Sequence, residues 1–148
     1  MNPFSHKPIV VPVDLSEASH FALDFARQLT AGPSNITAIH VGLPIMAVDP
    51  PYMFLIDDAT RRAELEVSVH KHYEPYESQG FRMVVRYGDP GDEITKYAHD
   101  IGAGLIVMPS HGRTGLSHLL IGSVAERVVR HARCPVLVLR GMSKHTLL

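Results

Sequence analysis

Leu105-Ile-Val-Met-Pro-Ser-His-Gly-Arg-Thr-Gly-Leu-Ser-His-Leu-Leu-Ile-Gly-Ser123 is the stretch that decides the fold. It passes from an apolar run, through a loop that carries Gly112, Gly115 and Gly122, into the amphipathic segment 124–132. A strand, a glycine-bearing loop and a helix start, in this order, place backbone N–H groups at the positive end of a helix dipole. Glycine also lets the backbone come close to a bound group. The pattern therefore predicts an anion site, suited to a phosphate, at this loop.

The end of the loop also has a purely structural interpretation. Ser123 and Glu126 fit a capping box, in which Ser123 is the N-cap and Glu126 bonds back to it. Both interpretations stay open here, because a cap and an anion site can coexist. The loop has no Gly-Lys-Ser/Thr, so it is not a Walker A loop, and Arg113 is its only fixed positive charge.

Outward from this stretch, short apolar runs alternate with segments of helical period. Ser16-Glu17 opens one such segment, which ends at Gly32-Pro33. Asp89 is placed as the N-cap of another, with Pro90 at its first position. The predicted strands cover 9–13, 36–41, 81–87, 105–108 and 135–139, and the predicted helices run over 16–32, 58–78, 89–101 and 124–132.

Strands separated by crossover helices predict an α/β fold, a parallel sheet with helices on both faces. Ligands of such sheets bind beyond the carboxyl ends of the strands, where the strand order changes direction. Two loops follow carboxyl ends, namely Asp14-Leu-Ser16 and the 109–123 loop. They meet if the first and fourth strands are neighbours. For the apolar connection 42–56, a lid, a partner surface and a packed loop are the alternatives.

Composition and charge set limits on the class of protein. The 148 residues are expected to form one domain over 1–148, with 141–148 as a loose tail. A net charge of -1 gives no electrostatic case for nucleic acid or an anionic membrane. No segment has the ~20 apolar residues of a membrane span. The single Cys134, interpreted as a small buried hydrophobe, and the lack of a signal-peptide pattern predict a cytoplasmic protein.

Other chemistry is not predicted by the sequence. Among ten histidines, His70 and His72 are two residues apart and point to different faces of a helix, so they cannot share an ion. His111 and His118 have no cysteine or acid at a convincing ligand spacing. No Gly-x-Ser-x-Gly nucleophile motif is present. Neither a metal site built from histidines nor a hydrolase is therefore expected.

Four pieces of the chain together resemble the universal stress protein family, and the similarity covers nearly the full length. They are Ile9-Val-Val-Pro-Val-Asp-Leu-Ser16, Gly88-Asp-Pro-Gly-Asp-Glu-Ile94, the Ser110 to Ser123 loop, and Cys134-Pro-Val-Leu-Val-Leu139. The resemblance implies a five-stranded parallel sheet in the order 3-2-1-4-5, of the adenine-nucleotide alpha-hydrolase-like type. It also implies a homodimer in which the strands 135–139 of two subunits pair, which protects an apolar edge.

The family divides into members that bind ATP and members that do not. Binders carry Gly-x-x-Gly, nine residues, and then Gly-Ser or Gly-Thr. Here the second glycine is Gly112 and the closing pair is Gly122-Ser123, but Pro109 replaces the first glycine. Proline has no N–H to offer a ligand oxygen. Because the rest of the motif is intact, the resemblance implies the ATP-binding subgroup, with AMP or ADP as alternatives and Mg²⁺ accompanying the triphosphate.

Carried over position by position, the resemblance implies which residues contact each part of the nucleotide. Asp14 lies near the ribose, Val41 meets the adenine through its backbone, and Met108 and Pro109 line the sugar. Gly112, Gly122, Ser123 and Val124 bind the phosphates. The predicted site also includes Pro12, Val13, Ser16, His111, Arg113 and Gly115, and Asp14 is a candidate Mg²⁺ ligand through the nucleotide. As alternatives, Asp14 only shapes the first helix start, and Val41 is an ordinary buried strand residue.

The resemblance implies a dimeric stress-response regulator that binds an adenine nucleotide. Slow ATP hydrolysis or self-phosphorylation, supported by Asp14 with Mg²⁺ and the triphosphate, is the most that is expected of it as an enzyme, because no strong general base or Walker lysine is visible. The alternative is a nucleotide-free dimeric scaffold in which Pro109 closes the pocket.

Overall fold

The computed structural model describes residues 2–43, 57–110 and 121–140. The predictions for His111, Gly112, Arg113, Gly115, most of the 42–56 connection and the tail 141–148 lie outside the described residues.

Within the described residues, five parallel strands form one sheet. Their order is β3-β2-β1-β4-β5, and each neighbouring pair is parallel. This confirms the predicted order 3-2-1-4-5. The strands are β1 (Ile9–Pro12), β2 (Ile36–Gly42), β3 (Arg82–Tyr87), β4 (Leu105–Pro109) and β5 (Val136–Leu139). The central strand β1 is buried along its whole length, as its continuous apolar sequence requires.

Helices cover both faces of this sheet, as predicted. They are α1 (Glu17–Gln28), α2 (Asp58–Glu77), α3 (Pro90–Asp100) and α4 (Ser123–His131), and a short 3₁₀ helix spans Pro33–Asn35. Because side chains alternate along a strand, Ile9 and Val11 pack with α1 and α2, whereas Val10 packs with α3 and α4. None of the described helices is long and apolar enough to cross a bilayer.

Short polar side chains begin the first three helices. Ser16 is the N-cap of α1 and accepts the backbone N–H of Ser19 at 3.4 Å. Asp57 accepts the N–H of Thr60 at 2.8 Å at the start of α2. Asp89 accepts the N–H of Asp92 at 3.1 Å, and Pro90 is the first residue of α3, as its sequence predicted.

The fourth helix begins differently, and the capping-box prediction for Ser123 is wrong. The N-cap of α4 is Gly122, Ser123 is already the first helical residue, and no side chain caps this end. Glu126 does not bond back; its carboxylate pairs with Arg130. The reason is that the carbonyl of Gly122 accepts the N–H of Glu126 at 2.9 Å, which starts the helix one residue earlier.

Candidate functional site

A cavity of ≈ 460 Å³ opens at the carboxyl ends of β1, β2 and β4. The strand order reverses at this place, because β1 is followed by β2 on one side while β4 lies on its other side. Its walls are residues 12–14 at the end of β1, 39–41 of β2, 108–110 at the end of β4 and 121–125 at the start of α4, together with Ser19, Pro90 and Ile94.

One part of the cavity wall is apolar. Ile39 of β2, Ile94 of α3 and Met108 of β4 are buried and belong to the same core cluster. Val41 and Pro90 continue this wall and are half-buried. Apolar walls with a few convergent polar groups are typical of small-molecule sites, and this wall suits a flat ring system.

Asp14 lies at the polar part of the wall and is held by the start of α1. Its Oδ1 accepts the backbone N–H of Ser16 at 3.1 Å, the hydroxyl of Ser16, and the hydroxyl of Ser19 at 2.7 Å. The backbone N–H of Asp14 in turn donates to Ser19 Oγ at 2.9 Å. The carboxylate therefore shapes this helix start, and it does so while lining the cavity.

The residue after Asp14 has an unusual backbone. Leu15 has a φ of 68°, in the left-handed region that costs a residue with a Cβ about 1–2 kcal/mol. Its N–H donates to the hydroxyl of Tyr73 on α2 at 2.9 Å, and the ring of Tyr73 is fully buried. This contact ties the Asp14 turn to a second helix.

The start of α4 is fixed against β4. The N–H of Gly122 donates to the carbonyl of Ser110 at 2.6 Å, and the N–H of Ser110 donates to Leu139 on β5 at 2.9 Å. Helix geometry leaves the N–H groups of the first residues of α4 without intrahelical acceptors. Ser123 and Val124 occupy these positions on the cavity wall. Such N–H groups at the positive end of a helix suit an anionic ligand.

Pro109 removes a donor from this site. The N–H groups of Ile106 and Ser110 donate to β5, at 3.0 Å to Pro135 and 2.9 Å to Leu139. Backbone groups alternate in direction along a strand, so the nitrogen of Pro109, a residue that lines the cavity, faces the opposite side, toward β1. A proline nitrogen has no hydrogen to donate. The departure from the family motif thus affects the cavity and leaves the hydrogen bonds between β4 and β5 intact.

The structure brings most of the predicted site residues together. Those that line the cavity are Pro12, Val13, Asp14, Val41, Met108, Pro109, Gly122, Ser123 and Val124. Ser16 does not line the cavity; its backbone N–H and its hydroxyl donate hydrogen bonds to Asp14 Oδ1. Their roles toward a ligand stay predictions.

Sequence reasoning missed several wall residues. Pro90 and Ile94 reach the cavity because α3 begins at the carboxyl end of β3 and packs over β2. The sequence did contain a signal for these residues. The helix start at Asp89-Pro90 follows the carboxyl end of the third predicted strand, just as 14–16 and 109–123 follow the first and fourth strands. Ser19, Ile39, His40, Ser110, Ile121 and Ala125 were also missed.

The orientation of His40 is set by the neighbouring strand end. Its Nδ1 lies 2.9 Å from the carbonyl oxygen of Val13, which can only accept, so Nδ1 carries a proton. The N–H of Val13 donates to the carbonyl of Ile39 at 2.9 Å. These two bonds extend the junction of β1 and β2 past the end of the ladder and hold the cavity floor in place.

No group of three or more His, Cys, Asp or Glu side chains that could hold a metal ion is present in the three described ranges. A metal centre with three or more such protein ligands therefore has no support in those ranges. Asp14 and the hydroxyls around it nevertheless form an oxygen-only set, which suits Mg²⁺ when phosphates supply further ligands.

The sheet order and the cavity at its switch point define an α/β protein with a ligand crevice at the carboxyl edge. The model of the universal stress protein family matches residues 5–140. The chain belongs to the universal stress protein family.

Individual relatives agree with this assignment. The chain is 32% identical over 145 residues to universal stress protein MJ0531 of Methanocaldococcus jannaschii, a match that covers 94% of this chain and 85% of that one. The solved structure of MJ0577, from the same organism, has a TM-score of 0.75 at 28% identity and covers 94% of this chain and 99% of that one.

Two more distant structures share the fold and were solved with nucleotides. A universal stress protein of Archaeoglobus fulgidus in complex with dAMP has a TM-score of 0.57 at 20% identity, and the match covers 91% of this chain and 98% of that one. A universal stress protein in complex with cAMP has a TM-score of 0.63 at 22% identity, and the match covers 93% of this chain and 99% of that one.

Proposed function

We propose that this universal stress protein binds an adenine nucleotide, ATP or else ADP or AMP, in the cavity between β1 and β4. The observation that carries the proposal is one continuous cavity with an apolar wall on β2 and α3 and the open start of α4 on the other side. The first suits a purine and the second suits phosphates. The cAMP and dAMP complexes of other family members support the proposal, because the same fold holds adenine nucleotides in those proteins.

Each part of the nucleotide has a proposed partner. The adenine lies against Val41 and Ile94, and the ribose lies between Asp14 and the Met108-Pro109 end of β4. The phosphates accept hydrogen bonds from the N–H groups of Ser123 and Val124. Mg²⁺ would be held mainly by the phosphates and water, with Asp14 as the nearby carboxylate. The ion would neutralise phosphate charge, and slow turnover at most is proposed.

We also propose that the protein acts as a cytoplasmic homodimer whose partners or stability change with nucleotide occupancy. Within the described residues, β5 pairs only with β4, so its other edge is open in the single chain. Val136, Leu137 and Val138 are half-buried there. Pairing with β5 of a second copy would cover these residues and satisfy the edge.

A second candidate function is supported by Pro109. Because the proline takes a donor from the cavity wall, a nucleotide-free dimeric scaffold is the alternative. In this alternative the same fold and the same dimer serve only as an interaction module.

Titration calorimetry with ATP and Mg²⁺ separates the two functions. The variant Gly122→Val places a branched side chain at the start of α4, where φ of -63° and ψ of 158° are open to any residue, so the chain still folds. The matched control is Gly32→Val, at the opposite end of the sheet, where an added Cβ meets nothing closer than 4.0 Å. Nucleotide binding by the wild type and Gly32→Val, lost in Gly122→Val, is the expected result. No binding by any of the three proteins at millimolar ATP would favour the scaffold.

A further inference from the structure

Two histidines from different helices meet outside the cavity. His20 of α1 and His72 of α2 are 52 residues apart in sequence, and their Nε2 atoms are 2.8 Å apart. Their ring centroids are 4.9 Å apart, and the ring of His72 packs edge-on against the buried ring of Tyr73 at 4.7 Å. The ring of His20 lies 5.4 Å from the same tyrosine ring, so both imidazoles pack against a buried aromatic side chain, and neither lines the cavity at the carboxyl ends of the strands.

The protonation of His20 is set by its other nitrogen. Its Nδ1 lies 3.3 Å from the hydroxyl of Tyr76. This hydroxyl lies 3.2 Å from Asp24 Oδ1 and 3.3 Å from the carbonyl of His20, and both can only accept its single hydrogen. The hydroxyl thus presents a lone pair to Nδ1, which carries the proton of the neutral ring. The lone pair of His20 Nε2 is left directed at His72.

The surroundings keep the ring of His20 neutral. Burial, and then the nearby His72, lower the pKa of His20, while the carboxylates of Glu17 and Asp24 act in the opposite direction. Burial raises the pKa of Tyr76 well above its usual value, so the hydroxyl stays protonated. A neutral imidazole with its Nε2 lone pair exposed and its Nδ1–H bonded to an oxygen is the form in which histidine ligates metals.

We infer that His20 and His72 form a two-histidine site for a divalent transition-metal ion of the Ni²⁺ or Cu²⁺ type, which would link α1 to α2. Imidazole nitrogen is a preferred ligand of both ions. The two Nε2 atoms are 2.8 Å apart, close enough for one ion to lie about 2.0 Å from each after a local adjustment of the rings.

Binding requires only small local changes. Without metal, one ring donates its Nε2–H to the other, and this donor is His72 because His20 carries its proton on Nδ1. Metal binding needs the other neutral tautomer of His72 and a rotation about χ2, a broad torsion in histidine, that turns both lone pairs to one point. Since the described residues contain no group of three potential ligands, water completes the coordination and the ion exchanges with solvent.

Calorimetric titration of the full-length protein with Ni²⁺ alone tests this inference. His20→Gln and His72→Gln should each lower the affinity of one site at least about tenfold, and Tyr76→Phe, which keeps both ligands but frees His20 Nδ1, should lower it by about 10-fold or more. His70→Gln is the matched control, because His70 is on the same helix and contacts Glu77 instead. Its titration should equal that of the wild type.

Electron paramagnetic resonance with one equivalent of Cu²⁺ gives an independent readout of the ligands. Coupling to two imidazole nitrogens in the wild type, reduced to one in His20→Gln and in His72→Gln, is expected. Equal Ni²⁺ affinity in the wild type and both variants would overturn the inference, and so would an equal loss in His70→Gln. The inference is also overturned if the pair responds to protons alone and shows no Ni²⁺ site.

Discussion

Gly122 donates its backbone N–H to the carbonyl oxygen of Ser110 at 2.6 Å, which joins the last residue before α4 to the first residue after β4. This bond fixes where the helix starts relative to the sheet. It leaves the N–H groups of Ser123 and Val124 at the rim of a cavity whose opposite wall is apolar. The proposed nucleotide site depends on this relationship more than on any single side chain.

Restoring the missing donor at position 109 should strengthen nucleotide binding. In Pro109→Gly and in Pro109→Ala the backbone nitrogen of this cavity-lining residue regains a hydrogen. One additional hydrogen bond should raise the affinity for ATP roughly fivefold to tenfold, equivalent to about 1 kcal/mol. Calorimetric titration of both variants measures this gain. If only the glycine variant improved, backbone flexibility rather than the donor would be the cause, and if neither did, the proposed contact would be wrong.

Ser19 should be essential for the Asp14 turn. Its hydroxyl is buried and bonds both the carboxylate and the N–H of Asp14. Ser19→Ala leaves these groups without that partner and should reduce the free energy of unfolding by about 1–3 kcal/mol. Urea denaturation checks this value, with the exposed Ser34→Ala as the control. A loss no larger than that of the control would show that the hydroxyl contributes little.

Gly91 should tolerate no side chain while Arg127 is present. A Cβ at this position would lie 2.7 Å from Arg127 Cδ and 2.8 Å from Cγ, and the guanidinium is held by Asp92 at 3.1 Å. Gly91→Ala should destabilise the fold by about 1 kcal/mol or more through overpacking. In an Arg127→Ala background the cost should be much smaller, because only the Cβ of residue 127, at 3.0 Å, remains near the added methyl group and the exposed ion pair itself contributes little. A double-mutant cycle in urea measures this coupling, and additive losses would contradict it.

His20 should make stability depend on pH. Burial, and then the charge of His72, lower the pKa of His20 below 6.5 in the folded protein. The unfolded chain therefore takes up this proton at a higher pH, so the contribution of His20 to stability is present above 6.5 and is lost as the pH falls through the folded pKa. As the pH is lowered from about one unit above 6.5 to about one unit below it, the free energy of unfolding should fall more for the wild type than for His20→Gln. Parallel losses in urea denaturation would show that the two states share one pKa.

Local patterns allowed the sheet, the helix starts at Ser16 and Asp89, and the Asp14 turn to be predicted from the sequence. Each depends on residues a few positions apart, or on apolar runs long enough to be buried. The start of α4 was misplaced by one residue because Ser123 matched a capping box, while the bond from Gly122 to Ser110 crosses a loop. Sequence spacing contains no information about such a bond.

The histidine pair shows the same limit more clearly. His70 and His72 do point to different faces, since His70 contacts Glu77 whereas His72 contacts His20. Sequence spacing argued against an ion shared by His70 and His72, but it gave no indication that His20 lies beside His72. A contact across 52 residues depends on how α1 and α2 lie side by side on the sheet.

Backbone amide NMR during titration with ATP and Mg²⁺ tests the central claim most directly. The account predicts that the largest shifts at saturation occur at the amides of Gly122, Ser123 and Val124, with a second group at Val41. Residues at the opposite end of the sheet, around Gly32, should not shift. Shifts confined to that opposite end, or no shifts at saturating nucleotide, would contradict a nucleotide site between β1 and β4.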